Sequence, residues 1–290
     1  MLSFFKKKYV FYHIPKAGGT TLTAFIDQRF NLSEICPRTF FTPSAILSKG
    51  LTPEQSRQIQ KYLFIRDHFF FNIANSLHGR VKKLTMLRDP ARRAISQFYY
   101  YRSYTDEALD SDVKNGRMSV DRAAGMRMLR LLSLEEFLRN IPPQFEPEFN
   151  NTQTSMLAHT SSCPSTPPNA EKRLAAAAKN LKKFSYVGIL ELFEPSMQLL
   201  CFTFKWFYPA AIQPLNQLEY PERPELLSDH ARLLLRPLVE YDEKVYALAK
   251  QDFLKRYQAM IASLLKKDKK FKDAEIKEAV HDPFLPQHQQ

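Results

Sequence analysis

Glycine is scarce in this chain. Seven glycines occur in 290 residues, whereas an average usage of about 7% would give roughly 20. Two of the seven are adjacent, at Gly18 and Gly19. Because glycine lets a backbone come close to a neighbour or a ligand, this pair indicates a close approach to the main chain.

Cysteine is scarce too, and long apolar runs are missing. The three cysteines, Cys36, Cys163 and Cys201, form no Cys-x-x-Cys pair and no zinc-type spacing, which disfavours a disulfide framework and a structural metal. No apolar run approaches the roughly 20 residues of a membrane-spanning helix. The basic segment Met1–Val10 is not followed by the apolar core of a signal peptide. These absences predict a cytoplasmic protein without a transmembrane segment.

Acidic residues are outnumbered by basic ones. The chain has 42 Lys and Arg against 30 Asp and Glu, a formal net charge of +12, which favours anionic partners such as nucleotides, acidic glycans or nucleic acid. The sequence has no helix-turn-helix, zinc-finger or RNP-type signature, so a specific nucleic acid partner is not expected. A non-enzymatic protein that binds nucleotides or nucleic acid remains an alternative on charge alone.

Strands and helices are predicted to alternate along the chain. Short aromatic and β-branched runs predict four strands, at Tyr9–Ile14, Tyr62–Arg66, Lys83–Leu87 and Tyr186–Leu190. Periodicity and capping residues predict helices from Thr20, from Ala91 to about Tyr104 behind the cap Asp89-Pro90, after the capping box of Ser133 and Glu136, and over Tyr241–Leu265. This order predicts an α/β fold with a central, mostly parallel sheet flanked by helices.

The sequence predicts one domain rather than two. It spans residues 1–265, and the Pro- and Ser-rich stretch at 160–169 is expected to be a surface loop within it. Residues 266–290 are predicted to form a charged, mobile C-terminal tail.

The glycine pair belongs to a segment between the first predicted strand and the first predicted helix. This segment, residues 13–21 (HIPKAGGTT), is called the phosphate loop. The amides and the macrodipole at a helix N-terminus favour an anion, and Lys16 adds a full positive charge. In the P-loop of nucleoside triphosphatases, G-x-x-x-x-G-K-[ST], the lysine follows the glycines. Here it precedes them, which disfavours a magnesium-dependent triphosphatase and leaves an ATP-dependent kinase with an atypical phosphate loop as an alternative.

Two separated blocks of the sequence are similar to motifs of one enzyme family. The block HIPKAGGTTL, residues 13–22, resembles the 5′-phosphosulfate loop of carbohydrate O-sulfotransferases, in particular of the heparan sulfate 2-O- and 6-O-sulfotransferase group. The block LRDPARRAISQFYY, residues 87–100, resembles the 3′-phosphate motif of the same family. Weaker similarities follow in the family's order, at 151–154, 186–189, 214–216 and 241–257. The resemblance therefore covers most of the chain.

The resemblance implies a P-loop-like sulfotransferase fold and an enzyme that uses 3′-phosphoadenosine 5′-phosphosulfate (PAPS) as co-substrate, without a metal. By position, it assigns the 5′-phosphosulfate to Lys16 and to the backbone of Ala17, Gly18, Gly19, Thr20 and Thr21. It assigns the 3′-phosphate to Arg88 and Ser96, and residues 88–96 are therefore called the arginine segment. Taken singly, Arg88 could instead pair with Asp89 or a carbonyl, and Ser96 could be an ordinary helix-surface serine.

Histidine is the natural general base for a sugar hydroxyl, because its pKa lies near neutrality. His68 follows the second predicted strand as Lys16 and Arg88 follow the first and third, so all three are expected at the carboxyl edge of the sheet. The resemblance implies the same role, since the family commonly has Gly-His-Phe here. Asp67 replaces that glycine, and it could orient the imidazole, raise its pKa or be a surface charge. His13 is expected to shape the site, and a local hydrogen bond at the strand end is the alternative for His68.

The acceptor is predicted to be a hydroxyl-bearing glycan, glycolipid or small alcohol. Basic residues near the two motifs could line its cleft: Arg66, Lys82, Lys83, Arg92, Arg93 and Arg102. The segment Asn151–Thr154 could reach the acceptor. Ser155 stands where the family often has a basic residue, which favours a less acidic substrate. The three tyrosines at 99–101 are expected to pack rather than to stack on a nucleobase.

Overall fold

The structure is a computed structural model that describes residues 7–41, 50–69, 72–158, 170–208 and 227–280, with side chains described up to residue 268. The predicted loop at 160–169, Cys163 and the similarity at 214–216 lie outside the described residues. Both motif blocks and every residue assigned to the donor or to the base lie within them.

The described residues contain one sheet of four parallel strands. The strands are β1 Lys8–Tyr12, β2 Phe64–Asp67, β3 Val81–Leu87 and β4 Tyr186–Ile189. Their spatial order is β2-β1-β3-β4, and every neighbouring pair is parallel. The four predicted strands and the predicted α/β class are confirmed.

The strand order reverses beside β1. The chain passes from β1 to β2 on one side and then returns across β1 to β3 on the other. In open parallel sheets, such a reversal opens a crevice at the carboxyl ends of the strands, where ligands of α/β proteins bind. Tyr12 at the end of β1 pairs with Asp67 and with Thr85, so the segments after β1, β2 and β3 leave the sheet at the same edge.

Helices make up most of the rest of the described chain. They are α1 Gly19–Asp27, α2 Pro53–Gln58, α3 Pro90–Arg102, α4 Asp106–Lys114, α5 Val120–Leu129, α6 Leu134–Arg139, α7 Glu146–Phe149, α8 Thr152–Ala158, α9 Ala170–Leu181, α10 Phe193–Phe204 and α11 Asp229–Val280. Short 3-10 turns lie at Leu32–Glu34, Arg38–Phe41, Ile59–Lys61, Ile73–Ser76 and Leu190–Leu192. Both predicted caps are confirmed: the Asp89 carboxylate accepts from the Arg92 amide at the start of α3, and Ser133 and Glu136 form the capping box of α6.

Two apolar clusters stabilise the fold. The first surrounds the strands and contains residues such as Val10 and Leu84. The second is helical and contains Phe98 of α3 with Phe137 and Phe149 of α6 and α7. Helix α3 begins just after β3 and packs into the second cluster through Phe98. This packing fixes the position of the arginine segment relative to the sheet.

Helix α11 is longer than predicted. The predicted helix over Tyr241–Leu265 lies inside a helix that begins at Asp229 and continues to Val280, into the segment assigned to the tail. Residues 266–280 are rich in Lys, Glu and Ala, which have high helix propensity. Helix α11 also contains Pro237 in its interior, a residue that interrupts a helical hydrogen-bond ladder.

Candidate active site

The phosphate loop turns sharply between β1 and α1. Lys16 has a φ of +63° and Gly18 a φ of +75°, and α1 begins at Gly19. A side chain at Gly18 would be strained by this angle, and its Cβ would lie 2.5 Å from Cδ1 of Leu190. Because glycine has no side chain that could cap the helix, this end of α1 is suited to binding an anion.

Gly19 makes room for His13. A Cβ at Gly19 would lie 2.0 Å from Cδ2 of the His13 ring, so the imidazole packs directly on the glycine backbone. The ring also stacks on Phe11, with 5.4 Å between centroids. Burial, followed by the neighbouring His68, lowers the pKa of His13 well below its usual value. His13 is therefore a neutral ring at pH 7, packed against the first turn of α1.

His68 lies beside His13. The two ring centroids are 4.4 Å apart, and Nδ1 of His68 is 2.5 Å from the carbonyl oxygen of His13. Because a carbonyl accepts hydrogen bonds, Nδ1 carries the proton and Nε2 keeps the lone pair. The local hydrogen bond considered as an alternative is present, but it occupies the nitrogen that a general base does not use.

Asp67 holds the main chain at His68. Its Oδ1 accepts from the His68 amide at 2.8 Å, and its carbonyl accepts from the amides of His13 and Phe69 at 3.1 Å each. Burial lowers the pKa of His68, and the charge of Asp67 opposes this shift. Since the net direction is downward, the imidazole is unprotonated at neutral pH, as a base must be.

The arginine segment lies against the phosphate loop. Nη1 of Arg88 donates to the carbonyl oxygen of Lys16 at 3.1 Å, and the Lys16 ammonium lies 4.0 Å from the centre of the Tyr100 ring on α3. Burial and the neighbouring Arg88 lower the pKa of Lys16 to about 8. The structure thus brings the two predicted anion-binding segments together at the crevice between β1 and β3.

The remaining residues assigned to the donor differ in exposure. Ser96 is 4% exposed and lies one turn before Tyr100 on the same face of α3. Ala17 and Thr21 are buried, whereas Thr20 is exposed. The neighbouring Tyr101 packs into the second apolar cluster, as expected for this run of tyrosines. Tyr100 packs against the same cluster, and its ring also lies under the ammonium of Lys16.

Several basic residues predicted to line an acceptor cleft make hydrogen bonds within the protein. Their partners are Asp27 for Arg66, Asn72 for Lys83, the carbonyl of Glu148 for Arg93, and the carbonyls of Leu132 and Arg130 for Arg102. Arg38, which carries no sequence signal, is close enough to lower the pKa of both His13 and His68. It lies in a 3-10 turn far from both motifs in sequence, so only the fold brings its charge to the base.

The segment Asn151–Thr154 contacts Arg88 in the structure. The side chain of Gln153 pairs with the Arg88 backbone twice: Oε1 accepts from the amide at 3.1 Å, and Nε2 donates to the carbonyl at 2.8 Å. Gln153 is 0% exposed. Sequence reasoning missed this contact because the two residues are 65 positions apart.

The described part of the chain offers neither a metal site nor a membrane-spanning helix. Among the described residues, no group of three or more His, Cys, Asp or Glu side chains could hold a metal ion. Within the described ranges, no helix has the length and apolar character needed to cross a bilayer. The buried thiols Cys36 and Cys201 are free, and burial raises their pKa to about 12 and about 11, so both are protonated at neutral pH.

Many α/β proteins bind a phosphorylated ligand at one sheet edge. Their typical features are present here: a reversal of strand order, a glycine-containing loop after β1 and an arginine after β3. Comparison with known families identifies which of these α/β proteins the chain resembles. The model of the Sulfotransferase family matches residues 4–255, and the chain belongs to this family. The predicted resemblance is thereby confirmed at the level of the family, while the heparan sulfate 2-O/6-O grouping stays a prediction. A search of curated proteins gave no match.

Proposed function

We propose that this sulfotransferase moves the sulfuryl group of PAPS to a hydroxyl of a carbohydrate or glycoconjugate, with His68 as the general base. The observation that carries the proposal is the 3.1 Å hydrogen bond from Arg88 to the Lys16 carbonyl. It joins the segment suited to a phosphosulfate and the segment suited to a phosphate at one crevice. His68 reaches the same edge from β2 and is fixed there by the His13 carbonyl.

The residues at this crevice fit a donor with an anion at each end. Lys16 and the N-terminus of α1 supply positive potential for one anion. Arg88 supplies a planar fork that matches a phosphate, and Ser96 supplies a hydroxyl. PAPS carries a 5′-phosphosulfate and a 3′-phosphate, whereas ATP lacks the second group. The presence of two anion-binding segments therefore favours PAPS over ordinary adenine nucleotides.

His68 and Lys16 have complementary tasks in the transfer. As the acceptor oxygen bonds to sulfur, Nε2 of His68 takes the hydroxyl proton. The bond between sulfur and the bridging oxygen breaks, and its electron pair remains on the 5′-phosphate of adenosine 3′,5′-bisphosphate, where the Lys16 ammonium stabilises the charge. The imidazolium then returns its proton to solvent. Most of the acceleration is expected from alignment and electrostatics, as in phosphoryl transfer.

The proposed acceptor is a hydroxyl-bearing glycan, a glycolipid or a small alcohol. The charge of Arg38 acts on the base and favours an acidic group beside the reacting hydroxyl. Ser155, which the sequence associates with a less acidic acceptor, is 0% exposed, so it does not contact the acceptor directly. A panel of neutral and acidic glycans of matched size, with glycolipids and short alcohols, tests the preference for an acidic acceptor.

The donor is tested first, on the full chain. Thermal unfolding is measured with PAPS, with adenosine 3′,5′-bisphosphate and with ATP plus magnesium. We expect the first two to raise the melting temperature more than ATP does, and radiolabelled sulfate to pass from PAPS to a member of the acceptor panel. Stabilisation by ATP and magnesium without an effect of PAPS would indicate a kinase. Steeply salt-dependent DNA binding without affinity for PAPS would indicate a nucleic-acid-binding protein, and either result contradicts the proposal.

A further inference from the structure

The backbone of the arginine segment is held from two sides. On one side, the Gln153 amide pairs with both the amide and the carbonyl of Arg88. On the other, the amide of Asp89 donates to Oε1 of Glu191 at 2.9 Å, and Oε2 of Glu191 accepts from the hydroxyl of Tyr246 at 2.8 Å. A side chain that pairs with both polar groups of one residue restricts its two backbone torsions. The direction in which the Arg88 side chain leaves the chain is thereby set.

Glutamine suits this position for a chemical reason. Its side-chain amide offers a donor and an acceptor at once, whereas glutamate at neutral pH can only accept. In a buried site, a group that loses its partner costs free energy. A carboxylate at position 153 would also place a negative charge against the Arg88 carbonyl oxygen, so a Gln153→Glu change would break one of the two hydrogen bonds and disturb the other.

Gln153 is in turn held by Asp242 of α11. Oδ2 of Asp242 accepts from the Gln153 amide at 3.1 Å, and Oδ1 accepts from the amide and the hydroxyl of Thr154, both at 2.7 Å. The carboxylate thus caps the first turn of α8. Asp242 is 0% exposed. Burial raises its pKa, and the nearby guanidinium of Arg93 is the largest opposing influence.

Asn151 sets the position of Asp242 at the interruption of α11. Pro237 cannot donate a backbone hydrogen bond. The Asn151 amide donates to Leu238 O at 2.7 Å and its Nδ2 to Pro237 O at 3.3 Å, while its Oδ1 accepts from the amides of Tyr241 and Asp242 at 2.8 and 3.1 Å. In a continuous helix, these carbonyls and amides would pair with each other. Asn151 is therefore inserted into the ladder of α11, with a φ of +47° that asparagine tolerates.

We propose that Gln153 is a positioning residue for the nucleotide. Its amide directs the Arg88 guanidinium toward the 3′-phosphate, and Asp242 with Asn151 keeps Gln153 in place. The inference rests on the proposed function, because it takes Arg88 as the ligand of the 3′-phosphate. Since Gln153 acts through Arg88, its substitution changes the preference for a 3′-phosphorylated nucleotide more than it changes binding at the 5′ end.

Isothermal titration with two nucleotides tests this role. The full chain is titrated with adenosine 3′,5′-bisphosphate and with adenosine 5′-monophosphate. We expect Gln153→Glu to weaken the bisphosphate about tenfold and the monophosphate less than about twofold. The matched control is Gln60→Glu, because the Gln60 amide bonds backbone groups of Ser56, Ser76 and His78 ahead of β2 and β3, at the opposite edge of the sheet. The control should leave both affinities unchanged.

A second variant is used if Gln153→Glu does not fold. If circular dichroism shows that Gln153→Glu is unfolded, Gln153→Met, which has a similar length and no charge, is titrated in its place with the same expectation. In the Arg88→Ala background, Gln153→Met should cause no further loss of nucleotide preference.

The possible outcomes separate this inference from the proposed function. Equal weakening of both nucleotides, or a preference as strong as that of the wild type in the Gln153 variants, overturns the positioning role alone. A wild-type protein that does not prefer the bisphosphate overturns the proposed function, and the inference with it.

Discussion

The phosphate loop and the arginine segment follow neighbouring parallel strands into one crevice, yet they are stabilised in different ways. The turn of the phosphate loop is formed by its own residues, through the positive φ angles of Lys16 and Gly18 and the packing of His13 on Gly19. Distant residues add hydrogen bonds from Arg88 and His68 to its carbonyl oxygens. The arginine segment depends on distant residues. Its backbone partners Gln153 and Glu191 lie 65 and 102 positions away from the residues they hold.

The difference follows from how each segment can bind an anion. A helix N-terminus offers backbone amides, so a few torsion angles suffice to arrange it. An arginine offers a long side chain that loses conformational freedom when it is held in place, so its backbone has to be fixed by neighbours. We therefore expect substitutions in the phosphate loop to affect transfer and overall nucleotide binding. Substitutions around the arginine segment should affect the choice of nucleotide.

Removal of the base gives the largest expected effect and separates chemistry from binding. His68 hydrogen-bonds to the phosphate loop at the His13 carbonyl. We expect His68→Ala to slow sulfuryl transfer by about a thousandfold, with the affinity for adenosine 3′,5′-bisphosphate within about twofold of the wild type. Single-turnover rates and isothermal titration measure the two quantities. His78→Ala, at an exposed histidine ahead of β3, is the control, and transfer near the wild-type rate in His68→Ala would mean that another group takes the proton.

Crowding of the phosphate loop should be the next most damaging change. In Gly19→Ala, the new Cβ would lie 2.0 Å from the His13 ring, so either the ring or the first turn of α1 must move. We expect adenosine 3′,5′-bisphosphate to bind about a hundredfold more weakly, because the α1 amides and Lys16 shift together. Gly116→Ala is the control, since a Cβ there meets nothing within 4 Å, and its positive φ, which Gly19 lacks, places any backbone strain on the control rather than on Gly19→Ala. Unchanged affinity in a folded Gly19→Ala protein would show that the loop adapts freely.

Features with local signals could be predicted from the sequence, and features set by distant contacts could not. The four strands, the cap at Asp89 and the position of the phosphate loop were predictable because their signals are local: apolar runs, a capping residue and an adjacent glycine pair. The full extent of α11 was not, since its Lys-rich end carries no apolar periodicity that marks it as packed. Asn151 illustrates the limit most clearly. Nothing in its neighbourhood predicts that it enters the hydrogen-bond ladder of a helix about 90 residues later.

Within the site, local signals identified residue types but not their contacts. Lys16, His68 and Arg88 are identifiable from the sequence because each follows a predicted strand. The adjacency of Gly18 and Gly19 predicts a close approach to the main chain. The structure adds that the Cβ positions of both glycines are blocked by the protein's own side chains, those of Leu190 and His13. The contact between Leu190 and Gly18 is long-range and leaves no trace in a single sequence, whereas His13 and Gly19 belong to the same loop.

The pH dependence of binding should distinguish the phosphate loop from the arginine segment. Burial and Arg88 lower the pKa of Lys16 to about 8, so free Lys16 is charged below about pH 8 and becomes neutral as the pH rises further. A bound anion raises this pKa, and binding therefore takes up a proton above pH 8. We expect the affinity for adenosine 3′,5′-bisphosphate to fall about tenfold between pH 7 and pH 9. Isothermal titration in buffers of different ionisation enthalpy measures the proton uptake directly.

Two substitutions show whether Lys16 causes this dependence. Lys16→Arg should abolish the proton uptake, because arginine stays protonated over this range. Lys83→Arg replaces another lysine whose pKa is lowered by burial, and it should retain the uptake. A dependence that persists in Lys16→Arg would assign the titration to a different group.

The smallest expected effect lies where the two segments meet. Tyr100 belongs to α3, which carries the arginine segment, yet its ring lies 4.0 Å from the Lys16 ammonium of the phosphate loop. Since a ring face stabilises a cation by about 0.5–1 kcal/mol at partly exposed sites, Tyr100→Leu should weaken adenosine 3′,5′-bisphosphate about threefold and move the midpoint of its pH dependence downward. Tyr100→Phe keeps the ring and should do neither. Tyr99→Leu serves as the control, because Tyr99 packs against the second apolar cluster as Tyr100 does, while the cation over its ring is Arg102. An equal shift of the midpoint in that variant would mean that the whole of α3, rather than the Tyr100 ring, sets the charge of Lys16.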